Sequence, residues 1–163
     1  MRRTGLTFLT LFWLLAGGLV WWGFTHYLNP NARLAETAVM GGEIVLKRGP
    51  DGHYRAPGRI NGQPVDFLVD TGATVVALPG ALADRLGLTR GATVRVHTAN
   101  GDAIAYATRL HQISLGGAAA ERVTAHIVPG MQGDETLLGM SFLSRFDIAM
   151  SGDEMRLRPR PPR

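Results

Sequence analysis

No cysteine occurs among the 163 residues, which excludes disulfides, thiolate metal sites and cysteine nucleophiles. The compartment stays open, because an oxidising space permits disulfides without requiring them. His53, His97, His111 and His126 share no metal-ligand spacing of the H-x-x-x-H kind, so no metal and no cofactor is expected. No phosphate-binding loop or dinucleotide fingerprint is present. Gly139-Met140-Ser141-Phe142-Leu143 misses the G-x-S-x-G nucleophile elbow by its last glycine and by its setting. The sequence pI of about 10.3 invites a nucleic-acid reading. Against it, the soluble part has almost no aromatic residues on which bases could stack. Its densest basic cluster is a proline-rich tail, Arg156 to Arg163. Nucleic acid is therefore not an expected partner.

Charge is also absent where it matters most: between Arg3 and Arg33 there is no Asp, Glu, Lys or Arg. Residues 6–28 are almost wholly apolar, and about twenty such residues suffice to cross a bilayer core. Trp21, Trp22 and Tyr27 lie toward the far end, where amphipathic rings favour the interface. A cleavable signal peptide is the competing reading. Its apolar region would be only about 7–15 residues long and followed by a small-residue cleavage site. Arg2 and Arg3 precede the span, which by the positive-inside bias puts residues 1–5 in the cytoplasm and the domain beyond the membrane. The expectation is a transmembrane helix over 6–28 and a tether over 29–42, with some helical character at 33–39.

The rest is β-patterned. Extended runs at 43–48 and 53–60 flank a Gly-Pro-Asp-Gly turn. Asn61-Gly62 is a strong hairpin signal and feeds the run Val65 to Asp70. Val75–Leu78 is a short β-branched run, and 79–86 has helix spacing, stopped by Gly87. Strands are expected at 93–98 and 104–115 around Asn100-Gly101, then at 123–128, 136–140, 146–150 and 155–158, with a short helix over 141–145. About ten short strands with one or two small helices make an all-β sandwich or barrel.

One stretch resists a purely structural account. Phe67-Leu68-Val69-Asp70-Thr71-Gly72-Ala73 is an apolar strand that ends in a carboxylate, a hydroxyl and a glycine. An ionised carboxylate is costly out of water, so the strand has no packing reason to end there. Asp-Thr-Gly can also simply begin a turn. The run resembles the catalytic signature of aspartic proteases, and Leu137-Leu138-Gly139 resembles their second signature. Their separation, with the Asn100-Gly101 hairpin between them, is similar to the single-lobe, retropepsin-like type, and to its bacterial membrane-anchored members. The resemblance covers residues 43–159 and leaves 160–163 as a basic tail.

That resemblance implies a closed retropepsin-like acid-protease barrel and a homodimer that hydrolyses peptide bonds through a dyad of Asp70 from two chains. Thr71 would bond across the interface to its mate, and Gly72 would offer its carbonyl to substrate. Ala73 would wall the pocket. Ala99, Asn100, Gly101 and Asp102 would close over the peptide, and Gly139 would pack beneath the active-site loop. With the orientation given by the positive-inside bias, the resemblance to bacterial members makes the periplasm the expected place of the domain, anchored in the inner membrane by lipid contact through 6–28. Thr74 stands where retroviral enzymes usually carry a second Asp, the flap tip is Asn-Gly rather than glycine-rich, and the interleaving termini have no match. A peptide-binding or scaffolding module on the same fold is the alternative, and a purely structural domain is a third.

Overall fold

A computed structural model describes residues 3–28, 30–32, 42–98 and 101–160, with side chains of the first helix over 9–23. Helix α1 spans Arg3–Leu28. Among the described residues no helix is long and apolar enough to cross a membrane. The expected helix is thus present, and the crossing is not shown. The helical character expected at 33–39 lies outside the described residues. Strands follow at β1 (Ile44–Lys47), β2 (Arg55–Ile60), β3 (Gln63–Val69) and β4 (Val76–Pro79), then helix α2 (Gly80–Arg85). The long hairpin of β5 (Thr93–Thr98) and β6 (Gly101–Leu115) leads to β7 (Ala118–Val128). Then come β8 (Thr136–Leu138), α3 (Met140–Leu143), β9 (Phe146–Ser151) and β10 (Glu154–Pro159).

The domain is all-β, as expected, and its main sheet closes. Six strands run in the order β2-β3-β8-β4-β7-β6, and β6 returns to pair with β2. Closure removes the exposed edges that an open sheet would offer. Strand β5 hangs outside this ring on β6, and a second sheet of order β1-β10-β9 covers one end. Asn61 and Gly62 both take left-handed conformations (φ 51° and 82°), which is what a two-residue type I′ turn demands. That turn sets the register Ile60↔Gln63 through Arg55↔Leu68. One face of β3 then buries Val65, Phe67 and Val69.

Two elements are longer than alternation indicates: β6 begins at Gly101 and β7 at Ala118, not at 104 and 123. For β7 the cause is a change of face within the β6–β7 pair. Arg122 adopts φ 53°, and the buried positions switch from Ala118 and Ala120 to Val123, Ala125 and Ile127. Pairing runs through the switch, from Leu115↔Ala118 to Leu110↔Val123. A period-2 reading breaks there, and the alanine run has weak strand preference of its own. Helix α3 likewise starts one residue before the expected 141–145 and is shorter.

Residue Asn31, assigned to a tether by sequence, is buried and inserted at the edge of β1. Its Nδ2 donates to the Lys47 carbonyl (2.7 Å) and the Arg55 carbonyl (2.8 Å), and its Oδ1 accepts from the Lys47 N–H (2.8 Å). The side-chain amide thus takes the place of a neighbouring strand.

Candidate active site

The apolar row of β3 drives the strand into the barrel and delivers Asp70 at its end. Beside it, β8 runs parallel to β3, with Phe67↔Thr136 and Val69↔Leu138 paired. The Asp70 N–H continues that ladder by donating to the Leu138 carbonyl (3.2 Å). On its other side, β8 pairs antiparallel with β4 through Ala77↔Leu137. Residues 70–75 therefore loop around the end of β8. The second motif is threaded between the two strands that carry the first.

Within the loop, the Gly72 N–H donates to Asp70 Oδ1 (2.9 Å) and the Ala73 N–H donates to the Asp70 carbonyl (3.3 Å). The Asp70 side chain is half-buried and makes no ion pair among the described residues. Thr71 and Gly72 are exposed. Below, the Met140 and Ser141 N–H groups donate to the Ala73 and Thr74 carbonyls (2.8 and 3.0 Å). Gly139 lies so close beneath that a Cβ there would stand 2.3 Å from the Val75 carbonyl oxygen and 2.8 Å from that of Ala73.

These contacts bring Asp70, Gly72 and Ala73 together with Leu138 and Gly139. Gly101 and Asp102 belong to the β5–β6 hairpin and share none of these bonds. There Asp102 pairs with His97 Nδ1 (2.5 Å). Ala99 and Asn100 lie outside the described residues. Thr74, at the position of the usual second Asp, is exposed. Arg55 bridges Asp51 and Glu135 (2.6 Å to the latter), tying the loop before β8 to β2. Its hydrogen bond holds the Asp51 carboxyl below the usual range. His126, on β7, has its pKa lowered by burial, which disfavours the charged ring. A cleft of about 560 Å³ between residues 87–92 and β6 is lined in part by Arg109 and His111 and does not include Asp70.

One residue of the site escaped sequence reasoning. Ser141 Oγ donates to the Thr124 carbonyl (2.8 Å) and accepts from the Val76 N–H (3.0 Å). It pins β4, just after the Asp70 loop, to β7. The only signal was the near-miss elbow around Ser141, whose serine is structural. Ser141→Ala leaves the Val76 N–H without its partner, at a cost of about 2 kcal/mol. The expected drop in melting temperature is about 8 °C, and an unchanged melting curve would show the bond to be dispensable.

A family model described as "gag-polyprotein putative aspartyl protease" matches residues 56–145. An uncharacterised protein from the cobV 5′ region of Sinorhizobium sp. is 38% identical over 120 residues, covering 71% of this chain and 52% of its own length. The uncharacterised protein RP867 of Rickettsia prowazekii is 36% identical over 108 residues, covering 64% of this chain and 46% of its own. The chain thus spans about half the length of these curated relatives. The crystal structure of a retropepsin-like aspartic protease from Rickettsia conorii superimposes with a TM-score of 0.61 at 33% identity, covering 71% of this chain and 89% of that one. With the family match spanning the Asp70 loop, the Gly139 crossing and most of the closed barrel, the chain belongs to the gag-polyprotein aspartyl protease family and has the retropepsin-like fold.

Proposed function

We propose that this chain is one half of a homodimeric aspartic endopeptidase anchored in a bacterial inner membrane. The observation that carries the reading is the Asp70 carboxylate, which ends a buried strand, is held by a loop N–H (2.9 Å) and, among the described residues, is partnered by no cation. A single carboxylate cannot serve an amide as both acid and base. Two of them on a two-fold axis can, because like charges that close do not both ionise and the pair shares one proton. The ionised member takes a proton from a bound water, which attacks the peptide carbonyl. The protonated member donates to the developing oxyanion and later to the leaving amine.

The other roles follow by position. Thr71 bonds to its mate, the Gly72 carbonyl receives a substrate N–H, and Ala73 walls the pocket. Residues Ala99 to Asp102 close over the peptide and exclude water. Substrate binds as an added strand, so backbone bonds give affinity and alternating pockets give selectivity. Support for the anchor comes from α1, whose Leu14, Val20 and Trp21 are 70–73% exposed and want an apolar surrounding. Residues 6–28 cross the bilayer, 1–5 stay in the cytoplasm, and the domain 43–159 stands in the periplasm. Two chains in one membrane meet at raised effective concentration.

The test is the full chain in detergent, incubated with an unfolded protein from acidic to neutral pH, with fragments read by mass spectrometry. Internal cleavages are expected. A dimer that binds peptides and never cuts them would leave the binding-module reading. Alkaline extraction of membranes tests the anchor, and release of the chain into the supernatant would rule it out.

A further inference from the structure

The sequence leads one to expect a tether over 29–42, yet the chain is fastened at the third residue of that stretch. Asn31 is only 4% exposed, and its side chain sits where β1 parts from β2. The two strands meet at the bridge Arg48↔Tyr54 and then join different sheets, β1 beside β10 and β2 beside β3. A primary amide has two donor hydrogens and an acceptor oxygen, and at the parting all are engaged. The Nδ2 group spans the Lys47 carbonyl on β1 and the Arg55 carbonyl on β2, while Oδ1 takes the Lys47 N–H. Asn31 thus staples the incoming chain to both sheets at once.

Connectivity turns this staple into a limit on distance. Leu28 ends α1, so the helix and the staple are three residues apart, a reach of at most about 11 Å. Without the staple, the chain from Leu28 to Ile44 could extend to about 55 Å. From the staple the active site is near. Arg55 pairs with Leu68, the Val69 N–H donates to the Tyr54 carbonyl (2.9 Å), and Asp70 follows. One strand spacing and two residues of strand separate the Arg55–Leu68 pair from Asp70, which keeps the Asp70 Cα within about 30 Å of the end of α1.

We propose that Asn31 holds the catalytic end of the domain close to the bilayer, so that the site takes peptide segments within about ten residues of the membrane surface on other membrane-anchored chains. This rests on the proposed anchor and protease, and adds where the site works and what it reaches. Two chains in one membrane gain effective concentration only where geometry lets the cut site and the active site meet. Asn31 is a positioning residue, setting the height of Asp70 above the bilayer without touching the reacting atoms.

Two insertions separate a staple from a plain tether. A flexible insert of about twelve Gly and Ser residues between Leu28 and Asn29 adds about 20 Å of mean reach before the staple. The same insert between Ala35 and Glu36 lies behind the staple and adds none. A plain tether would be lengthened equally by both. Height is read on the full chain in phosphatidylethanolamine–phosphatidylglycerol vesicles that carry an acceptor dye on their headgroups. The donor dye is placed by Thr74→Cys, on an exposed position of the Asp70 loop, in a chain with no native cysteine. Energy transfer is expected to fall about twofold with the first insert and to stay unchanged with the second. Equal falls, or no change with either, would overturn the inference. A folded Asn31→Ala chain that keeps native transfer would also overturn it.

Substrate reach is read with a lipid-anchored peptide in the same vesicles, its cut site about five residues from the headgroup. The native chain is expected to cut it at least about tenfold faster than the first insertion variant does, and both should cut the free peptide equally fast. Equal cutting of the anchored peptide would overturn the substrate assignment. If transfer behaves as expected and no form cuts peptide, the staple holds and the protease reading fails. If the chain does not enter vesicles at all, the anchor fails and this inference with it.

Discussion

Asp70→Asn is expected to lower peptide cleavage by about 10⁴-fold, the upper range for general acid–base groups. In a homodimer one substitution removes both carboxylates, and with them the base that activates water and the acid that protonates the amine. On the usual scale this is about 5.5 kcal/mol of barrier. The fold should hardly notice. The contact from the Gly72 N–H goes to Oδ1 (2.9 Å), an acceptor that Asn retains. Peptide binding should also survive, because in the proposed binding mode backbone bonds and pockets hold the substrate. Cleavage kinetics and peptide affinity, measured side by side, check both halves of this expectation. Undiminished cleavage would remove Asp70 from the mechanism altogether. Mixing gives a second readout. Random assortment of equal wild-type and Asp70→Asn chains leaves about a quarter of the dimers with both carboxylates, and activity should fall to that level. A fall only to half would mean that each chain works alone.

Gly139→Ala is expected to be the most destabilising single-methyl change in the site, for want of space and not of conformation. Gly139 has φ −88° and ψ −175°, an extended backbone that alanine adopts freely. The new Cβ, however, would lie 2.3 Å from the Val75 oxygen, 2.6 Å from the Val75 carbonyl carbon and 2.8 Å from the Ala73 oxygen. All three are main-chain atoms of the Asp70 loop, and that loop is bonded on both sides. To make room, the loop must give up the bonds from the Met140 and Ser141 N–H groups, each worth about 1 kcal/mol net, on top of overpacking strain of about 1–3 kcal/mol. A total of about 4 kcal/mol is a large share of a typical domain's 5–15. Urea denaturation should show it as a strongly reduced midpoint. Gly62→Ala is the instructive contrast. That position has open space around it but φ +82°, so only the left-handed penalty of about 1 kcal/mol applies. If the two variants unfold alike, the close approach of Gly139 is not a constraint.

The comparison of these two glycines shows what could be read in advance. Asn61-Gly62 announces itself, because the demand for positive φ is local and a dipeptide suffices to meet it. Nothing around Gly139 marks it in this way. Its requirement comes from Val75 and Ala73, more than sixty positions away, and only likeness to a known motif pointed to it. Ser141 and Asn31 are harder still. Each satisfies main-chain groups on elements distant in sequence, and neither hydroxyl nor amide carries any pattern that reveals such partners. Alternation also failed at Arg122, where a left-handed residue exchanges the faces of a strand pair without breaking its register.

What the sequence determined by itself, then, was whatever short-range physics governs. It determined the apolar strand that ends without packing reason in Asp70, the I′ turn that sets that strand's register, the all-β character and an uncharged apolar N-terminal run. Tertiary structure decided the rest. It closed the barrel by returning β6 to β2, threaded β8 through the Asp70 loop and seated Asn31 on the edge of β1. Those outcomes depend on which distant groups meet. Buried main-chain donors and acceptors must find partners wherever the chain brings them, and no local pattern records where that will be.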